Sequence, residues 1–167
     1  VGQRDPNVPT RAGVADFVAE VLLSVGQPVL VVPFGETART LGERVVVAWS
    51  GTRESARAVG DALPLLERAQ SVLVLAGAAA TSAQGRVPAL AKGMIRTLER
   101  HGVRVQTEDL GRHRFDVGER ILARCTSFQA DLLVMGAYGH SRARELVLGG
   151  VTQTLLESMS VPVLMSH

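Results

Sequence analysis

Val134-Met135-Gly136-Ala137-Tyr138-Gly139, then nine residues, then Gly149-Gly150-Val151-Thr152, is the stretch whose reading decides the fold. A short apolar strand, Asp131 to Met135, runs straight into a glycine, and the Gly149-Gly150 pair opens an amphipathic helix. Glycines let a backbone approach a ligand closely and turn its N–H groups outward. A helix N-terminus adds partial positive charge. Gly136, Gly139, Gly149 and Gly150 are therefore candidate phosphate donors through their backbone, with Val151 and Thr152 in the first turn of the helix. His140, Ser141 and Arg142 border this cradle, and Arg142 and Arg144 offer guanidinium forks that suit phosphate. A plainer reading stands beside it: the glycines permit a compact strand-to-helix crossing and need no ligand.

Outward from this stretch, strand and helix periods alternate. Val45–Trp49 is a continuous apolar run, as in a strand buried on both faces. Thr52 reads as the N-cap of a helix to about Arg68, with Ala56, Val59, Leu63 and Leu66 on one face and Pro64 disturbing the last turns. Ser71–Ala76 is a second buried strand. After a loop of small residues a helix runs from about Val87 to His101, closed by Gly102. Val103–Glu108 is a third strand. Asp116 to about Phe128 is a helix with Val117, Ile121 and Cys125 on its apolar stripe. Asp131–Met135 and Val161–Met165 complete five strands, and the alternation implies an α/β fold with a parallel sheet and right-handed crossovers.

The glycine spacing Gly136-x-x-Gly139-x9-Gly149 resembles the nucleotide loop of the universal stress proteins. Val45-Val46-Val47-Ala48-Trp49-Ser50-Gly51-Thr52 looks like that family's first strand and turn, and Val161-Pro162-Val163-Leu164 like its last strand. The resemblance covers about Arg44 to His167. It implies an open five-stranded sheet of order 3-2-1-4-5, with a ligand at the switch between the first and fourth strands. It also implies an adenine nucleotide such as ATP, with magnesium if bound, its base toward Ala48 and Ser50. Two positions depart from the pattern. Ser50 stands where ATP-binding members carry a carboxylate, and Gly150 stands where a Ser or Thr usually follows the last glycine.

The first residues repeat the last. A shift of 134 positions lays Gly2 on Gly136, Leu22 on Leu156, Ser24 on Ser158 and Pro28-Val29-Leu30 on Pro162-Val163-Leu164 without a gap. Val1–Pro33 thus reads as the loop, helix and last strand of a preceding copy, Phe34–Glu43 as a linker and Arg44–His167 as a complete domain. The alternative is a private helix-strand extension. In the earlier copy Asp5 takes the place of Gly139 and Ala15-Asp16 that of Gly149-Gly150, so carboxylates would repel phosphate there. The family's last strand commonly joins domains. The resemblance therefore implies association through Val161–Met165, either with Val29–Val32 of this chain in a tandem pairing or with a second chain in a homodimer.

Composition bounds the alternatives. Of 167 residues 46% are hydrophobic, and no apolar run approaches a membrane span. Val1–Asp5 has no signal-peptide character, and one cysteine, Cys125, suits a reducing compartment, so the expected location is cytoplasmic. A net charge of +2 from 18 basic and 16 acidic residues, with 4% aromatics, gives no nucleic-acid footprint. His101, His113, His140 and His167 are scattered, without metal spacing. Lys92 lies far from the glycine loop, so a P-loop lysine is missing. Asp116 and Glu119 read as helix N-terminal acids rather than a catalytic pair. Cys125, on an apolar stripe, reads as an inert thiol. Trp49 reads as core and Tyr138 as either a ligand cover or a partner contact. The leading expectation is a non-catalytic stress-response module acting by nucleotide-modulated binding and domain association. Weak ATPase or nucleotidyl chemistry in the same pocket is one alternative, and a structural domain with a vestigial pocket is another.

Overall fold

The computed structural model describes residues 1–3, 16–35, 40–77, 89–110, 117–137 and 150–167. In chain order it contains α1 (Asp16–Ser24), β1 (Val29–Val31), β2 (Arg44–Trp49), α2 (Arg53–Leu66), β3 (Ser71–Ala76) and α3 (Ala89–Arg100). There follow β4 (Val105–Asp109), α4 (Val117–Phe128), β5 (Leu132–Gly136), α5 (Gly150–Ser158) and β6 (Val163–Ser166). One six-stranded sheet has the order β1-β6-β5-β2-β3-β4. Strands β2 to β6 pair in parallel and reproduce the expected 3-2-1-4-5 arrangement, while β1 joins the edge antiparallel to β6.

The apolar run of β2 explains its central place. Val45, Val47 and Trp49 face a cluster completed by Ala58, Val59, Ala62 and Leu66 of α2 and Ala91 and Leu98 of α3. Val46 faces the opposite cluster, which holds Leu22 of α1, Ile121 and Cys125 of α4 and Leu155 of α5. A strand covered on both sides has no use for alternating polar residues.

Several elements differ from their sequence expectation. Ala56 is exposed, and the buried stripe of α2 is Ser55, Ala58, Val59, Ala62 and Leu66, with Leu63 half-buried. The small side chains of Ser55, Ala58 and Ala62 let α2 lie close over the sheet, which rotates its face relative to the expected one. Pro64 sits inside α2, and bonds from Arg68 N to Leu65 O and Ala69 N to Leu66 O then tighten the chain beyond the helix. The third strand of the expected domain begins at Val105 rather than Val103. The last strand spans Val163–Ser166, because Pro162 has no N–H to donate to a ladder.

The internal repeat has a structural counterpart. α1 at Asp16–Ser24 and α5 at Gly150–Ser158 are related by the same shift of 134. Gly2 bridges Val32 in parallel, as Gly136 pairs with Ser166. Gln3 N donates to Val32 O at 2.6 Å, as Ala137 N donates to Ser166 O at 2.8 Å. β1 and β6 pair as Val29↔Met165, Leu30↔Leu164 and Val31↔Val163. Leu30 and Leu164 are repeat equivalents, so the ladder has a local two-fold axis through that pair. The edge of β6 is thereby covered. Arg57 of α2 fastens the arrangement, donating to Gly26 O at 2.5 Å and to His167 O at 3.0 Å. At the other edge β4 carries exposed Gln106 and Thr107 and the Glu108–Arg124 ion pair, polar groups that discourage further pairing.

Val31 is fully buried in the outermost strand. Val31→Asp is expected to abolish hydrogen-exchange protection at Val29–Val31, because an unpaired carboxylate there cannot stay dry. The amides of β2, β3 and β5 should keep their protection. Equal loss across the sheet would show that β1 and β2–β6 unfold as one unit.

Candidate functional site

The carboxyl ends of β2 and β5, adjacent in the sheet, bring the described candidates together. β5 ends at Gly136. A Cβ built there would come within 2.5 Å of the Glu54 carbonyl carbon and 2.9 Å of Glu54 Cβ, and closer still to Ser55 N. Those atoms belong to the first turn of α2, largely backbone that cannot yield. Gly136 is therefore a glycine because a helix N-terminus rests on it. Its absent side chain answers a need of the fold, where the sequence offered ligand approach or a compact strand-to-helix crossing as the reason.

Gly150 opens α5, and among the described residues, its chain neighbours and its own helix backbone aside, no atom lies within 4 Å of a Cβ built on it. The N–H groups of Gly150, Val151 and Thr152 have no carbonyl four residues back within the helix. The Thr152 side chain is buried and that of Val151 packs against the core, so any ligand contact at these two positions falls to backbone. Gly139, His140, Arg142 and Gly149, with Tyr138, Ser141 and Arg144, lie outside the described residues.

At the end of β2, Ala48 is half-buried against the α4–α5 side. Ser50 follows, and Gly51, with φ of 75°, turns the chain into α2. Ser50 Oγ lies 3.0 Å from Thr52 Oγ1. Thr52 caps α2, its hydroxyl oxygen accepting from Ser55 N at 3.3 Å. Thr52 is also among the groups that hold the Glu54 carboxyl down. Either hydroxyl can be the donor in the Ser50–Thr52 contact. Toward a ligand a serine hydroxyl can donate or accept, without the charge of the carboxylate that the resemblance places here.

Glu54 was not singled out from the sequence. It is buried, with Arg53 donating to its Oε1 at 3.1 and 3.2 Å. Burial pushes its pKa up. Hydrogen bonds from its own backbone N–H and from Thr52, together with Arg53, outweigh burial and hold the carboxyl below the usual glutamate range. The available signal was an acid in the first turn after a threonine cap. Trp49 is buried, as read, but its indole N–H has no acceptor among the described residues. Cys125 is fully buried, which raises its thiol to about 12 and leaves it without thiolate character at neutral pH. Among the described residues no group of three or more His, Cys, Asp or Glu is placed to hold a metal, and no helix is long and apolar enough to cross a membrane.

A family model of the universal stress proteins matches residues 42–167. The chain belongs to the universal stress protein family. A universal stress protein of Synechocystis is 41% identical over 70 residues, which are 41% of this chain and 23% of that one. A universal stress protein from Archaeoglobus fulgidus superposes with a TM-score of 0.63 at 20% identity, over 83% of this chain and 49% of its own. Another universal stress protein, solved in complex with cAMP, gives 0.59 at 21% identity, over 77% of this chain and 98% of its own. The matched segments therefore take in about half the length of the archaeal neighbour and about a quarter of the Synechocystis protein. At such identities the structural likeness establishes the α/β fold.

Substitutions separate the two glycines. Gly136→Ala should lower stability by roughly 1–3 kcal/mol through overpacking against α2. Gly150→Ala should be neutral or gain up to about 1 kcal/mol by restricting the unfolded chain. Thermal denaturation of both variants checks the contrast, and equal effects would remove the distinction. Glu54→Gln should be less stable than the parent at pH 7. A depressed carboxylate stabilises the fold above its unfolded pKa, so that difference should fade as pH falls through the lowered folded value. A pH-independent difference would show that the charge of Glu54 contributes nothing.

Proposed function

We propose that this protein is a non-catalytic stress-response module that binds an adenine nucleotide and associates through its sheet edge. The nucleotide lies across the carboxyl ends of β2 and β5. Its phosphates rest on the N-terminus of α5 at Gly150–Thr152, completed by Gly136, Gly139, Gly149, His140 and Arg142. Its nucleoside lies toward Ala48 and Ser50. The observation that carries this reading is exposed Gly150, which no described residue crowds, at the start of a helix beside a topological switch point. A related universal stress protein was solved with cAMP, which supports the choice of an adenine ligand. Magnesium would accompany the phosphates. Its ligands would come from the nucleotide and water rather than from a protein cluster.

Residues 1–33 form, in this proposal, the end of a preceding universal stress domain, and 44–167 the complete one. The coincidence of α1 with α5 and of Gly2↔Val32 with Gly136↔Ser166 supports it. So does coverage. The longer Archaeoglobus neighbour takes in more of this chain than does the neighbour solved with cAMP, whose own length is almost fully covered. The β1–β6 ladder is then the joint between domains. A nucleotide that favours one geometry of that joint would shift which partners are bound. The setting is expected to be cytoplasmic.

A vestigial pocket is the second reading, favoured by the way α2 alone accounts for Gly136. Calorimetry with ATP, ADP and AMP, with and without magnesium, decides between them. Binding should weaken from ATP to AMP as phosphates are lost. Ser50→Asp should strengthen recognition of the nucleoside, a charged acceptor being worth roughly 1.5–3 kcal/mol. No heat at millimolar ligand would leave the structural reading standing.

A further inference from the structure

A glycine inside a helix is less stable there than alanine would be, so its presence calls for a reason. The described helices contain Gly60, Gly93, Gly118 and Gly150. Among the described residues, a Cβ built on Gly60, Gly93 or Gly150 meets nothing within 4 Å beyond its chain neighbours and its own helix. Gly118, in the first turn of α4, is different. A Cβ there would lie 2.8 Å from Thr154 Cβ, 2.9 Å from Thr154 Cγ2 and 3.4 Å from Thr154 Oγ1. Carbon atoms in contact rest at roughly 3.5–4.0 Å. At this point α4 and α5 lie too close together for any side chain at position 118.

Thr154 has little room to step aside. Its Cβ moves only with the backbone of α5, and a β-branched side chain has few rotamers in a helix. Its hydroxyl donates to Gly150 O at 2.9 Å, which fixes the freedom that remains. Gly118, Thr154 and Gly150 thus form one line of contacts from the start of α4 to the first residue of α5. α4 is anchored, with Ile121 and Cys125 buried in the core and Arg124 paired with Glu108 of β4. The far end of α5 is held as well, Gln3 Nε2 donating to Leu156 O at 2.8 Å and to Glu157 O at 3.2 Å. A side chain at position 118 would therefore tilt the N-terminal half of α5 away from α4.

We propose that Gly118 is a positioning residue for the phosphate end of the nucleotide site: through Thr154 it fixes where the N–H groups of Gly150, Val151 and Thr152 stand. This role rests on the nucleotide-binding reading above. Gly118 itself touches no ligand. Hydrogen bonds weaken as distance and angle leave their ideal values, so a displacement of roughly half an ångström in that turn is felt by a bound phosphate. The nucleoside lies toward Ala48 and Ser50, on a different element, and does not sense it.

Exchanging the glycine across the contact tests this role. By calorimetry Gly118→Ala should weaken tripolyphosphate and ATP by a factor of about ten, the equivalent of one net hydrogen bond, and leave adenosine unchanged. Thr154→Gly opens a gap at the same point and should weaken the same two ligands. The double variant returns a methyl group to that gap from the opposite helix and should recover most of the loss, a coupling that independent sites do not show. In the ligand-free protein the amide chemical shifts of Gly150–Thr152 should move in Gly118→Ala and return in the double variant. Should Gly118→Ala not fold, Thr154→Gly compared with the double variant carries the same test.

Equal ATP affinity in parent and Gly118→Ala would overturn the role of Gly118 while leaving nucleotide binding intact. So would a double variant no better than Thr154→Gly. Equal weakening of ATP and adenosine would reduce Gly118 to a packing residue and overturn its link to the phosphates. No binding of ATP by the parent would overturn the nucleotide reading and this role with it.

Discussion

The seat of the first turn of α2 on Gly136 is the contact on which both fold and site depend. Parallel strands β2 and β5 lie side by side, and the chain leaving β2 must rise over the end of β5 without a side chain in its way. Thr52 caps the helix at that point, and Ser55, Ala58 and Ala62 keep its underside small. Because α2 is held so low, Glu54 is drawn into the interior and Ser50 is turned toward Thr52. A methyl group at Gly136 would disturb all of these together.

The same helix reaches the joint between β1 and β6. One turn beyond Glu54, Arg57 holds Gly26 and His167, and Asp61 accepts from the buried Ser166 hydroxyl at 2.8 Å. A rigid helix therefore links the switch-point crevice to the strand pair centred on Leu30 and Leu164. The crevice and the strand pair thus share one mechanical element, a packed helix.

Much of the fold was legible in the sequence. Strands buried on both faces announce themselves as unbroken apolar runs, as Val45–Trp49 and Ser71–Ala76 do, and Gly102 with φ of 77° marked a helix end. The repeat was readable because it is ungapped, and it placed α1 and β1 where no local signal is strong. The face of α2 was less legible, since Ala56 and Ala58 are equally suited to burial and only contact with β5 decides between them. Of the candidate site's glycines, Gly136 and Gly150 fall at the end of β5 and the start of α5, where the sequence puts a strand end and a helix start. The reason for Gly136 was not legible, because it depends on a neighbour eighty residues away in sequence. Nor were the buried charge of Glu54 and the unmatched N–H of Trp49, which are properties of surroundings rather than of residue type.

Native mass spectrometry of the purified protein incubated with ATP tests the nucleotide assignment most directly. It counts bound molecules without assuming which residues hold them. A mass increase of one nucleotide per complete domain, competed by adenosine, is the result expected of a working switch-point crevice. An unshifted mass at millimolar ATP would contradict nucleotide binding and leave a fold whose glycines serve only the crossing of strand and helix.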